Sequence, residues 1–369
     1  MIKKIISWVI AVTVFCSIIG YNIYQEQRKS NPDKKQIHAI FPLTGTTAAV
    51  GQHVKKTIEI YMQQNPNLPF EVKFYDNQSD PNKTISIARQ ISFSDKQPVF
   101  VCGIPGLCKP LIPILASMNG FLILSPSPLA EKEQADNFQR ISFGHTDMYS
   151  PFVRYIQPGQ NVVIIHANDE SGYMATKILS ANLKQKNANV LAEIVFEHKD
   201  LDNRIIILKA MSYKPDIIVV PSAPSMGFVK ILKTLKEQEY PGKILADPSL
   251  RTPSLLPLFS NTELEGIYVP IVPTEKIYKE YPQVAKLLEE NNLDVGYLSI
   301  NVWNTMDIIN HFITNQIPFT QEEFIKIGKW HGISGDLIFT ANGNSTYDFW
   351  PLSVIKDGKF IPVEQVKGE

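Results

Sequence analysis

The chain has 369 residues, 44% of them hydrophobic, with Lys+Arg and Asp+Glu balanced at 36 each. That apolar content excludes a disordered or collagen-like chain, and the length suits two domains better than one. A formal net charge of zero supplies no overall field to draw in nucleic acid, so no nucleic-acid partner is expected.

After Lys3 and Lys4 no charged residue occurs until Glu26, and Ile5–Ile19 is mostly Ile, Val, Phe, Ala and Trp. The run is about long enough to cross a hydrocarbon core as a helix. A cleaved signal ends on small residues, which Ile18-Ile19-Gly20 matches poorly, and Cys16 follows Phe15, where a lipoprotein signal wants a small residue. An uncleaved anchor within residues 1–30 is therefore expected. Charge does not orient it, since Arg28, Lys29, Lys34 and Lys35 outnumber the two N-terminal lysines.

From residue 36 a rhythm of short apolar run, turn-rich loop and amphipathic stretch begins. Ile37–Phe41 reads as a strand, followed by "PLTGTTAAVGQ" and a helix through Ile58–Met62. Phe70–Tyr75 precedes "DNQSDPN" and a helix over Thr84–Ile91. Pro98–Cys102 leads through "GIPGLCKP" to a helix ending near Met118, and Phe121–Leu124 runs into Ser125-Pro126-Ser127-Pro128, where prolines end ladder pairing. The rhythm restarts after Pro158, with strands at Asn161–Ile165, Val190–Phe196, Asp216–Val220, Lys243–Ala246 and Gly266–Val269 and a helix over Ala175–Lys186. Two tandem arrays of this kind predict two lobes, each a parallel sheet of βαβ units. Helices near Tyr278–Asn291 and Tyr297–Thr314 follow, and the turn pairs Asn342-Gly343 and Asp357-Gly358 mark a β-rich tail.

Ligands of open α/β sheets bind outside the carboxyl ends of the strands. The loops there, "PLTGTTAAVG", "GIPGLC", "SPSPLA", "HANDESG", "PSAPS" and "ADPSL", are rich in Ser, Thr, Gly and Pro, groups that suit recognition more than bond-breaking. There is no H-E-x-x-H, no nucleophile elbow and no phosphate loop, His53 and Val54 standing where that loop needs lysine and a hydroxyl. His166 beside Asp169 and Glu170 is the nearest approach to an acid–base set, and a histidine bonded to a neighbouring carbonyl is the expected reading. Asp80 is expected to cap the helix that Pro81 opens, not to join a metal site. Cys102 and Cys108 are the one plausible pair of three cysteines. Their spacing lacks a second zinc-ligand cluster, and buried free thiols are expected, with a local disulfide as the alternative. No cofactor, metal or enzymatic activity is expected.

A family resemblance rests on "FPLTGTTAAVGQ" (41–52), "DNQSDPNKTISIARQI" (76–91), "LILSPS" (122–127), "GIYVP" (266–270), and "GISGDLIFTANGN" with "VIKDGKF" near the end. In this order, over about residues 36–363, they resemble the branched-chain amino-acid-binding group of type I periplasmic binding proteins, the substrate-binding components of ABC transporters. The resemblance implies an α/β fold of two Rossmann-like lobes in a Venus-flytrap arrangement with three interlobe crossings, preceded here by the membrane-spanning helix. Lobe 1 would comprise 36–150 and 271–347, and lobe 2 would comprise 151–270 and 348–369. It also implies an extracytoplasmic, periplasmic domain, which the N-terminal helix would anchor to the cytoplasmic membrane, or a secreted one if that segment is cleaved.

Carried over loop by loop, the family's ligand positions fall on Val50, Gly106, Cys108, Ser127, Leu129, Ser171, Ser222 and Asp247. Much of the amino-acid clamp has changed. Leu129 has no hydroxyl where the amino-acid binders offer threonine, Val50 replaces an aromatic residue, and Gly106–Cys108 contains no serine. Ser171-Gly172 stands for tyrosine-glycine, and Ser222 for another tyrosine. A buried zwitterion needs nearly all its hydrogen bonds, so such a cleft should prefer a less charged or larger solute. Backbone N–H groups at the helix starts near Gly106 and Gly172 are expected to remain open to a carboxylate. The resemblance implies a protein that captures a small organic ligand, an amino acid or related compound, for an ABC-type importer. The alternative is a ligand-sensing or protein-interaction module on the same fold.

Overall fold

The fold follows from where each apolar run finds a partner. This computed structural model describes residues 34–126, 135–142, 144–197, 202–222, 225–251, 255–271, 274–293, 295–333, 335–341, 343–347 and 351–363. Strands β1 (Lys35–Phe41), β2 (Phe70–Asp76), β3 (Val99–Cys102), β4 (Phe121–Leu124) and β5 (Phe138–Arg140) form a five-stranded parallel sheet in the order β2-β1-β3-β4-β5. Strands β6 (Asn161–Ala167), β7 (Asn189–Phe196), β8 (Ile217–Val220), β9 (Lys243–Ala246) and β10 (Ile267–Pro270) repeat that winding in a second sheet, as β7-β6-β8-β9-β10. A small antiparallel sheet joins β11 (Lys329–Gly332), β12 (Gly335–Thr340) and β13 (Asn344–Tyr347). The hairpin β14 (Leu352–Lys356) and β15 (Lys359–Pro362) then adds antiparallel to β10, making seven strands in the second sheet.

The central strands are apolar on both faces because both faces are covered. Ile37, Ala39 and Phe41 enter the largest core, while Ile40 between them enters a separate core with Phe100, Leu122 and Leu124. In β6, Val162 and Ile164 face the largest core, and Val163 and Ile165 face a third. The covering helices include α1 (Ala48–Gln64), α2 (Pro81–Ser94), α3 (His145–Tyr155), α4 (Glu170–Gln185), α5 (Arg204–Ser212), α6 (Met226–Glu237), α7 (Thr274–Glu280), α8 (Pro282–Glu290), α9 (Tyr297–Thr314) and α10 (Gln321–Ile327).

The chain leaves the first sheet after β5, enters the second at β6, and returns after β10 to lay α9 along α1. It goes back to the second sheet between β13 and β14. Helix α3 packs on α4 and beside β10 and β14, so the chain has changed sheets before α3 begins, and the expected boundary at 150/151 falls inside a continuous helix.

Proline accounts for two departures from expectation. The helix expected to reach Met118 is instead a series of short helical turns, 105–108, 109–111, 112–115 and 116–118, because Pro105, Pro110 and Pro113 cannot donate to an α ladder. The helix expected over Tyr278–Asn291 is divided at Tyr281 by Pro282 into α7 and α8. Strand β5 was not expected, being only three residues with Gln139 and Arg140 in it. The anchor expected within residues 1–30 lies outside the described residues, among which no helix is long and apolar enough to cross a membrane.

Candidate ligand cleft

In both sheets the order reverses between the first and third strands of the array, and the crevice at such a switch point is where open α/β sheets take ligands. The loops at the two switch points follow β1, β3, β6 and β8. Below the first, Asp76 at the end of β2 accepts from the N–H groups of Leu43 at 2.9 Å, Thr44 at 3.1 Å and Gln78 at 2.8 Å, and from Thr44 Oγ1 at 2.7 Å. Burial works to raise its pKa, but these donors outweigh it and hold the carboxyl below its ordinary range. Asp80 caps α2 as expected, accepting from Asn82 N at 2.8 Å with Pro81 in the first helical position.

The first lobe's candidate residues lie on these loops. Val50 is half-buried in the first turn of α1, and the next residue, Gly51, is seated so closely on the Pro42 carbonyl that a Cβ would lie 2.1 Å from its oxygen. Gly106 is exposed. Cys108 is fully buried, as expected, but not as a free thiol: it is bonded to Cys102, because the turn beginning at Pro105 brings the two Cα atoms to 5.8 Å. Ser127 and Leu129 lie outside the described residues. Ser125, just before them, is buried, and its N–H donates to the Cys102 carbonyl at 2.9 Å.

At the second switch point Asp169 accepts from Gly172 N at 2.6 Å. That donor, expected to be open to a ligand carboxylate, is therefore already used by the helix's own cap. Ser171 is half-buried in the same first turn. His166 is buried with Nδ1 2.9 Å from the Ala167 carbonyl, as expected of a histidine without an acid–base role. Ser222 is buried at the end of β8, and its carbonyl lies 3.5 Å from Ser249 Oγ in the loop after the neighbouring β9.

Asp247, the residue following β9, is 5% exposed. Its Oδ2 accepts from the Tyr149 hydroxyl on α3 at 2.5 Å, and its Oδ1 from Ser249 N at 2.8 Å. Burial is the main influence on both side chains, raising the pKa of each. Tyr297, at the start of α9, is half-buried; burial is the main influence raising its pKa, and Arg140 and Asp247 act on it through longer-range charge. Its hydroxyl lies 3.0 Å from Ser142 Oγ, just beyond β5. Tyr297 thus joins the polar end of the first sheet, within electrostatic range of Asp247 on the second.

Beneath them lies a buried polar layer that sequence reading did not single out. Asn301 Oδ1 accepts from the Tyr347 hydroxyl at 3.2 Å, which accepts in turn from Asn304 Nδ2 at 3.0 Å, while Asn304 Oδ1 accepts from Ile333 N at 3.0 Å. Thr305 Oγ1 lies 2.7 Å from both Ser125 Oγ and the Asn301 carbonyl. Arg140 Nη2 donates to the Ser345 carbonyl at 2.8 Å, and Ser345 Oγ donates to the Ser142 carbonyl at 2.8 Å. The signal was legible: Tyr297, Asn301, Asn304 and Thr305 recur at helical spacing along one helix.

A periplasmic binding protein family model matches residues 36–313. The chain belongs to the periplasmic binding protein family. Its relatives of solved structure are type I periplasmic binding proteins of ABC transporters, including branched-chain amino-acid binders, and the family consists of extracytoplasmic solute-binding proteins, not enzymes. An ABC transporter substrate-binding protein from Sphaerobacter thermophilus superposes with a TM-score of 0.77 at 13% identity, over 89% of this chain and 96% of that one. A solute-binding protein from Rhodopseudomonas palustris BisB5, in complex with 3,4-dihydroxybenzoic acid, gives 0.72 at 14%, over 89% and 96%. The branched-chain amino acid transporter substrate-binding protein LivJ from Streptococcus pneumoniae, in complex with isoleucine, gives 0.69 at 15%, over 89% and 99%. A search of curated protein sequences gives no match.

Among the described residues of this binding protein no group of three or more His, Cys, Asp or Glu is placed to hold a metal. A groove of about 450 Å³ lies between the flank of α1 at Ala49, Gln52, His53 and Lys56 and the turn at Asn291–Leu293, and Gln52 Nε2 donates to the Leu43 carbonyl in the loop after β1 at 2.7 Å.

Proposed function

We propose that this protein is an anchored extracytoplasmic receptor that closes two lobes on a small organic acid and hands it to an ABC-type importer. The lobes are those expected from the sequence, with the first crossing moved ahead of α3. Residues 1–30 supply the anchor. Val50, Gly106, Ser127 and Leu129 line the cleft from one side, and Ser171, Ser222 and Asp247 from the other, with the Cys102–Cys108 bridge stiffening the rim. The observation that carries the reading is that polar groups stand at the carboxyl ends of both sheets, Ser142 with Tyr297 on one and Asp247 with Tyr149 and Ser249 on the other, where a solute has polar partners on each lobe.

The same observation favours an acid over an α-amino acid. Asp247 is the only acidic residue among the candidate ligand positions, and both its oxygens are engaged by Tyr149 and Ser249. An ammonium group would have to share this buried carboxyl with the tyrosine and serine donors already on it. Closure is driven by contacts made only when both lobes reach the ligand.

The test is thermal unfolding of the protein with amino acids, aliphatic and aromatic carboxylates, and amides. A carboxylate at a hundred times its Kd should add about 2.7 kcal/mol of stability, a shift of a few degrees. The Asp247→Asn variant should retain that shift. A response confined to amino acids and abolished in Asp247→Asn would refute the ligand assignment. No response from any compound would favour the partner-binding alternative, to which the altered clamp positions also point.

A further inference from the structure

We propose that the amino-terminal edge of the first sheet is a second interaction surface, one that rests against an anionic lipid bilayer. The inference builds on the anchor reading and adds to it a face of the folded domain. Strand β1 begins at Lys35, whose ammonium donates to the Gln97 carbonyl at 2.6 Å and lies 3.7 Å from Asp95 Oδ2. The chain therefore enters the domain beside the loop that follows α2. In the last turn of α2, two residues before Asp95, stands Phe93, 82% exposed.

The buried stripe of α2 is Thr84, Ala88 and Ile91, and Phe93 is off it. Arg89, one turn earlier on the face of Phe93, is exposed, and so is Lys96 just after the helix. Asp95 is occupied by Lys35 and by His38, whose Nε2 lies 3.1 Å away. On the adjoining edge strand β2, Glu71 and Lys73 contribute one charge of each sign. The surface therefore presents one large apolar side chain with exposed Arg89 one turn before it and exposed Lys96 three residues after it, while Lys34 stands just before β1 and Arg28 and Lys29 precede it in the chain.

Where the tether enters decides the occupant. Residues 20–33 alone separate the apolar run from Lys34, a connection that reaches about 50 Å at full stretch and roughly 20 Å on average. On average this edge is held within roughly 20 Å of the headgroups, closer than faces on the far side of the domain. An aromatic ring set among basic side chains is the composition that settles at an anionic interface. One ring and a few cations make a weak, salt-sensitive contact, which lets the domain release when it delivers.

The test uses the full chain reconstituted into vesicles containing phosphatidylglycerol, with lipids brominated near the headgroup as quenchers. Phe93→Trp is compared with Ile205→Trp, a position 83% exposed on the second lobe. The emission added by Phe93→Trp should fall by roughly a third, less in phosphatidylcholine or high salt, while that added by Ile205→Trp should be unaffected. Trp8, inside the apolar run, reports the anchor in the parent protein. Unquenched Phe93→Trp with quenched Trp8 overturns the docking surface and leaves the anchor standing. Unquenched Trp8 overturns both. Quenching that ignores headgroup charge and salt overturns the anionic assignment.

Discussion

Asp307 on α9 accepts from the Tyr61 hydroxyl on α1 at 2.7 Å, yet burial raises its pKa to about 6, the hydrogen bond offsetting only part of the cost. A carboxyl whose folded pKa lies above its unfolded value of 3.8 favours folding most when protonated. Its contribution is fully present below pH 4 and is lost as pH rises through 6. Asn mimics the neutral form and keeps the acceptor for Tyr61. Asp307→Asn should match the parent at pH 4 and exceed it at pH 8 by roughly 2 kcal/mol, read as a Tm difference that appears only at the higher pH. Equal differences at both pH values would show that the carboxyl is not held neutral. The residue itself was readable in the sequence, but its environment was not, because Tyr61 is 246 positions away.

Among the elements, the stretch from Gly103 to Met118 shows local chemistry overruling an amphipathic pattern. The apolar spacing asked for one helix, the prolines allowed only turns, and the disulfide closes the first of them across a sequence separation of 6. Bridging so short a loop removes modest unfolded-state entropy. Replacing both cysteines, Cys102→Ala with Cys108→Ala, should lower stability by roughly 2 kcal/mol in denaturant titration. A loss beyond twice that would mean the bridge also holds the packing around Leu107 and Leu111. Elsewhere the pattern was sufficient: Phe121–Leu124, Lys243–Ala246 and Tyr297–Thr314 form over the ranges their sequence predicts, each lacking an internal proline or glycine. In the final hairpin Asp357 and Gly358 both take positive φ, at 49° and 72°, as a two-residue turn between strands requires.

For the whole molecule, the first and third passages between sheets start at the layer of Asn301, Asn304, Tyr347, Ser142 and Ser345. Hydrogen bonds reorient more readily than interlocked methyl groups, so a satisfied polar layer lets two rigid sheets rotate without opening a cavity. A ligand identified in the thermal screen should decrease the radius of gyration in small-angle scattering. An unchanged profile at saturation would place the ligand on one lobe alone and remove closure from the mechanism.

By itself the sequence determined the two parallel arrays, their covering helices and the loops at the strand ends. All of these depend on periodicity and turn chemistry within about thirty residues. It also determined the helix cap at Asp80 and the carbonyl-bound His166, since both partners are close neighbours in the chain. The tertiary structure alone decided that Asp247 is sealed by Tyr149, that Gly172 is spent on a cap, that the cysteines join, and that Tyr297 meets Ser142. These outcomes depend on contacts between distant segments, and a hydrogen bond between Tyr149 and Asp247, 98 positions apart, leaves no trace in the composition or spacing of either neighbourhood.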